Sequence, residues 1–100
     1  MDIVQSKNGV PIRLTEERWL HITEEHSELA GNYFEVLETI ETPLAVYEGK
    51  AQELLAISEF APRKFLVVVY KETNDEDGFV ITAFITSKIK KIERRKMLWP

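Results

Sequence analysis

The hydrophobic period of this chain changes at Pro43. From Thr15 up to it, apolar residues recur at the spacing of helices; from Leu44 they run or alternate as strands do. A chain patterned this way can be neither all-helical nor all-β. Helices first and strands after favours an α+β arrangement over alternating βα units. One hundred residues, 44% of them hydrophobic, fill one modest core, so a single domain over residues 1–100 is expected.

The elements follow in order. Asn8-Gly9 lies between Ile3-Val4 and the apolar Val10, Ile12 and Leu14, which predicts a short hairpin, because this dipeptide accepts the positive φ of a tight turn. Thr15 before Glu16 and Glu17 supplies a cap and two carboxylates for the positive end of a first helix. That helix carries Trp19, Ile22, Thr23, His26, Leu29 and Ala30 on one side, and Gly31 is expected to stop it. Asn32 with Glu35 resembles a capping box for a second helix, with Tyr33, Val36, Leu37 and Ile40 on one stripe; Pro43 closes it. Residues Leu44–Glu48, Gln52–Phe60, Lys64–Glu72 and Phe79–Ser87 read as four strands joined by short links, hence an antiparallel meander. The predicted architecture is two N-terminal helices packed on a four-stranded antiparallel sheet, with a short N-terminal hairpin. The apolar end, Met97 to Trp99, should fold back on the sheet or meet a partner.

The net charge of −4 conceals a segregation. Six of the 13 Lys and Arg fall between Lys88 and Lys96, while eleven of the 17 acids fall between Glu16 and Glu59. Such a segment can be a solvated edge that discourages aggregation, or a face for a polyanion such as RNA. With no cysteine there is neither a disulfide nor a thiolate ligand, which fits a reducing, cytoplasmic setting. No signal-like start and no long apolar run is present, so a membrane role is not expected.

Two histidines invite chemistry. His21 and His26 are five residues apart, about 140° around a helix, which does not suit a shared metal ion, and no metal or cofactor is expected. His26 sits within the apolar stripe and is either a proton-transfer group or a hydrogen-bonded core ring; His21 lies on the polar face. On the last strand, Thr82 and Thr86 share a parity with Val80, Phe84 and Lys88. If the preceding turn is in register, Lys71 stands opposite Val80 on that same face, and two lysines with two hydroxyls make an anion site.

The run Arg13-Leu14-Thr15-Glu16-Glu17-Arg18-Trp19 with His21-Ile22 and His26 begins a longer pattern. Val36 to Ile40 before Pro43, Tyr47-Glu48-Gly49, Leu66 to Lys71 and Gly78 to Phe84 complete it. The whole resembles the small phage-type nucleases of the barnase, EndoU, colicin and RelE-like (BECR) group, over most of the chain. The resemblance implies metal-independent RNA cleavage by 2′-hydroxyl attack, and toxin-like members held by an antitoxin or another protein partner. By position it implies His26 and His21 as proton-transfer groups and Lys71 and Lys88 as stabilisers of the phosphorane. Thr82 and Thr86 become phosphate ligands, and Lys90, Lys91, Arg94 and Arg95 further contacts to RNA. A non-catalytic RNA-binding or protein-interaction module on the same fold is the alternative.

Overall fold

The computed structural model describes all 100 residues, Met1 to Pro100. Asn8-Gly9 turns the chain between β1 (Asp2–Gln5) and β2 (Pro11–Leu14), with Gly9 at φ +78°. Helix α1 covers Glu16–Glu25; the Thr15 hydroxyl accepts the Arg18 amide hydrogen at 3.1 Å, and Glu16 and Glu17 occupy the first turn. A single 3-10 turn, Ser27–Leu29, precedes α2 (Tyr33–Glu41). Strands β3 (Ala45–Glu48), β4 (Leu54–Ala61), β5 (Lys64–Asn74) and β6 (Asp77–Thr86) follow. A four-residue helical turn, α3 (Lys90–Glu93), and a final strand, β7 (Met97–Trp99), end the chain.

The expectation of two helices on a four-stranded antiparallel sheet is corrected. There are three helices, and the sheet has seven strands in the order β1-β2-β6-β5-β4-β3-β7, mixed because β2 runs parallel to β6. The meander left both edges open, and each end of the chain fills one of them. Ile12 and Leu14, both fully buried, give the N-terminal hairpin an inward face, and it docks through Ile12–Gly78 and Arg13–Phe79. Close approach needs the glycine: a Cβ on Gly78 would lie 2.5 Å from Ile12 Cδ1 and 2.6 Å from the Lys71 carbonyl oxygen. At the other edge, Met97 to Trp99 pairs with β3. Lys7, in the turn between β1 and β2, reaches over Trp99 of β7, its Nζ 4.5 Å from the centre of the ring.

One face holds the main core, in which Ile22, Leu29, Val36 and Ile40 of the helical layer pack on Leu66, Val68, Tyr70, Val80 and Ala83. The opposite face carries a second cluster of Tyr47, Ile57 and Val67, and residues Lys88 to Lys96 cross it as a strap, pressing Ile89 and Ile92 onto it. The basic segment is therefore an amphipathic strap whose isoleucines, three apart, face the sheet, with five of its six cations exposed. Burying these two side chains contributes roughly 1.5–3 kcal/mol each if complete. No helix is long and apolar enough to cross a membrane.

Two local departures matter for the site. Helix α1 ends at Glu25, well before Gly31, because Glu24 and Glu25 put negative charge at the negative helix end with no basic residue in the last turn. His26 then leaves the helical region, at φ −131° and ψ 71°. In β6, Thr82 pairs with Val69 but Val80 with Tyr70, so Ile81 is an extra residue.

Candidate active site

Helix α1 lies beside β6. Strand β2 partners β6 only at Gly78 and Phe79, and from there the chain bends through Thr15 into the helix, which flanks the outer edge of β6. Between the two runs a groove with two connected clefts. The larger, about 260 Å³, is lined by Arg18, His21, Ile22, Glu25 and His26 on one side and Ile81 and Thr82 on the other. The smaller, about 170 Å³, shares Arg18 and adds Arg13, Thr15, Phe79 and Val80.

The histidines assigned to different environments thus line one cleft. The 140° separation holds only along a continuous helix; because α1 ends at Glu25, the His26 ring swings toward β6 and lies 6.2 Å from the Phe84 ring, centre to centre. Its side chain keeps 31% exposure, so it is not a sealed core ring, and its Nδ1 lies 3.9 Å from Glu28 Oε2. His21 is exposed. Arg13, absent from the expected set, sits at the mouth of the smaller cleft over the Phe79 ring, 5.6 Å from its centre, and is held by Asp77. Arg18 also went unassigned, although i, i+3 spacing puts it beside His21 on any helix.

The strand residues divide. Lys71 pairs with Phe79, not Val80, and the extra Ile81 sends Val80 into the main core, 1% exposed, while Thr82 and Phe84 stay on the opposite face. Thr82 lines the histidine cleft. Thr86 pairs with Phe65, six residues along β5 from Lys71, or about 20 Å at roughly 3.3 Å per residue. Lys71 and Thr86 therefore cannot share one phosphate. Thr86 belongs instead to a third cleft at the end of β6, and its hydroxyl accepts the Lys88 amide hydrogen at 2.9 Å. Lys88, Lys90, Lys91 and Arg94 stand exposed on the strap, with Arg95 half-buried, and none is in an ion pair.

No protein-family model, curated protein or solved structure gives a significant match to this chain. The chemistry of the groove therefore carries the functional reading.

Proposed function

We propose that this protein is a metal-independent, toxin-like endoribonuclease whose site is the groove between α1 and β6. One observation carries the reading: two imidazoles and a guanidinium, from His21, His26 and Arg18, line the same open cleft of about 260 Å³. Imidazole titrates near neutrality, so a pair can supply one base and one acid together. In the proposed reaction one ring takes the proton from a ribose 2′-hydroxyl, and that oxygen bonds to phosphorus. The bond from phosphorus to the 5′-oxygen breaks, the second ring protonates the leaving oxygen, and a 2′,3′-cyclic phosphate remains. Arg18 and the Thr82 hydroxyl are the donors for the phosphoryl oxygens, where negative charge builds up.

The test is cleavage of a labelled single-stranded RNA in the presence of EDTA. His21→Ala and His26→Ala should each lower the rate by about 10²-fold or more, with unchanged circular dichroism. Intact RNA after long exposure to concentrated, folded protein would overturn the proposal.

The strap favours a second reading. Six cations without ion-pair partners lie along the strap that covers the second cluster, as an RNA-binding surface that needs no turnover would have them. Binding would then weaken with salt, with a slope of log K against log salt near −4 if all six engage single-stranded phosphates. Binding with that slope and no cleavage would favour this module over the enzyme.

A further inference from the structure

The seven-stranded sheet is open, and its two edge strands, β1 and β7, each have backbone N–H and C=O groups turned away from their only neighbour. The two edges are not alike. The pairing of β7 with β3 slips between Val46 and Tyr47, and β7 lies between Lys96 and Pro100, so irregularity, charge and proline all discourage the addition of another strand. Strand β1 carries none of these devices. Asp2 to Gln5 pair with Leu14 to Pro11 without a break in register, include no lysine, arginine or proline, and are exposed except for the half-buried Val4. The one charge among them is engaged from within, since the Tyr33 hydroxyl donates to Asp2 Oδ2 at 2.8 Å.

Apolar side chains flank this bare edge on both sides of the sheet. Val4 packs against the main core, so Ile3, 56% exposed, stands on the opposite face. On the helical side, the Tyr33 ring that reaches Asp2 also meets Phe34 edge-on, 5.1 Å between centres. Phe34 is 72% exposed, the most open large apolar side chain in the protein. The chain as a whole exposes 6311 Å², whereas a monomer of 11.6 kDa averages about 5,800 Å². The excess of roughly 500 Å² is a large share of the surface, about 800 Å², that a stable dimer covers on each partner.

We propose that β1 pairs antiparallel with β1 of a second copy about a two-fold axis through Ile3, joining two seven-stranded sheets into one. Parity and charge fix the axis. Residues directly opposite in an antiparallel pair share a face, so the axis passes through a residue and not between two. An axis at Asp2 sets two carboxylates opposite each other, which is destabilising. One at Val4 sets Asp2 against Ser6 of the partner subunit, a residue already in the turn and bonded to Glu72. With the axis at Ile3, each Asp2 faces Val4 of the partner subunit and the two Ile3 side chains meet. The helical layers then lie on the same side of the joined sheet, and Phe34 of each copy borders the seam. Arg13, opposite Ile3 on β2, comes within three interstrand spacings of its counterpart, about 14 Å, so the mouths of the two smaller clefts share one face of the dimer. The dimer goes beyond the ribonuclease reading and does not depend on it.

A chain without cysteine makes the axis directly testable. Opposite residues of an antiparallel pair have Cα atoms about 4.5–5.5 Å apart, within the span of about 4.4–6.8 Å that a disulfide bridges. Under mild oxidation Ile3→Cys should become a disulfide-linked dimer at least about tenfold faster than Gln5→Cys, whose counterpart lies about 13 Å along the seam. Sedimentation equilibrium of the wild type at roughly 100 µM should give twice 11.6 kDa. Ile3→Lys and Phe34→Ser, both at exposed positions, should each weaken association by at least about tenfold while circular dichroism stays that of the wild type. A wild type that sediments at 11.6 kDa even at roughly 1 mM would overturn the dimer and leave β1 to a different partner. Equal cross-linking rates for Ile3→Cys and Gln5→Cys would overturn it as well, because random collision would then join the copies. So would fastest cross-linking through Leu98→Cys, which places the contact at β7.

Discussion

Gly78 is where β2 meets β6, and Gly78→Ala measures how much that contact matters. The added Cβ would stand 2.5 Å from Ile12 Cδ1 and 2.6 Å from the Lys71 carbonyl oxygen, against an ordinary separation of about 3.5–4.0 Å between carbon atoms. Neither neighbour can yield easily: Ile12 is fully buried, and the carbonyl belongs to the adjoining strand. Overpacking of this kind costs about 1–3 kcal/mol, offset by the roughly 0.4–1 kcal/mol that alanine contributes by restricting the unfolded chain. Taking the middle of each range, the net loss is about 1.3 kcal/mol, a fall in melting temperature of roughly 5–10 °C for a chain of this size. Gly49→Ala is the internal control. There the atoms in the way belong to the Glu53 side chain, which can rotate at the cost of its bond to the Ala51 amide, so the change should stay within about 1 kcal/mol. Thermal and urea unfolding followed by circular dichroism would compare the two. Because β2 leads directly into Thr15 and α1, Gly78→Ala should also shift the amide signals of Arg18 and His21. A Gly78→Ala protein melting within about 2 °C of wild type would refute the argument that this parallel contact is close-packed.

Other consequences are open to measurement. The Tyr33 hydroxyl is pushed up to about 12 by burial and by its hydrogen bond to Asp2, and burial pushes that of Tyr70 up as well. Both folded values exceed the ordinary 10.0, so their contribution is intact below pH 10 and is lost as the pH rises beyond it, where the unfolded chain gives up its protons first. The urea midpoint should decline from pH 10 to 12, less steeply in Tyr33→Phe, and an unchanged midpoint would contradict this. Arg63 holds φ +65° in the turn between β4 and β5, a conformation that already costs an L-residue about 1–2 kcal/mol, so Arg63→Gly should stabilise by up to about 1 kcal/mol once the greater freedom of the unfolded chain is deducted, while the β-branched Arg63→Val should destabilise, as measured by urea unfolding. Trp99 packs at the margin of the main core beneath Lys7; Trp99→Ala should cost about 2 kcal/mol and Lys7→Gln about 0.5–1 kcal/mol, and equal effects of the two would argue against this packing of the ring on the core.

What could be read from the residues was what local chemistry decides. Asn8-Gly9 is sufficient for a turn, and Thr15 for a helix start, because each acts through atoms within a few residues. The destination of the hairpin was not legible: nothing near Ile12 indicates that its neighbour will be Gly78, and the sheet grew from four strands to seven through such distant contacts. The strap was half legible. Ile89 and Ile92 carry a helical spacing that six surrounding cations obscured.

For the candidate site the difficulty was backbone irregularity. Phe79, Val80 and Ile81 are apolar in succession, so no alternation marks the residue that drops out of register, and a bulge there moved Val80 to the other face while leaving Thr82 beside the groove. The histidines illustrate the same point in helical form. An α1 continued to Ala30 would hold the His21 and His26 rings about 140° apart, one in solvent and one in the core. Two carboxylates at an unfavourable helix end, and Leu29 drawn fully into the core by a tighter turn, end α1 at Glu25 instead. The residue types needed for acid–base chemistry are visible in the sequence, but it is the break in the helix that brings both rings to one cleft.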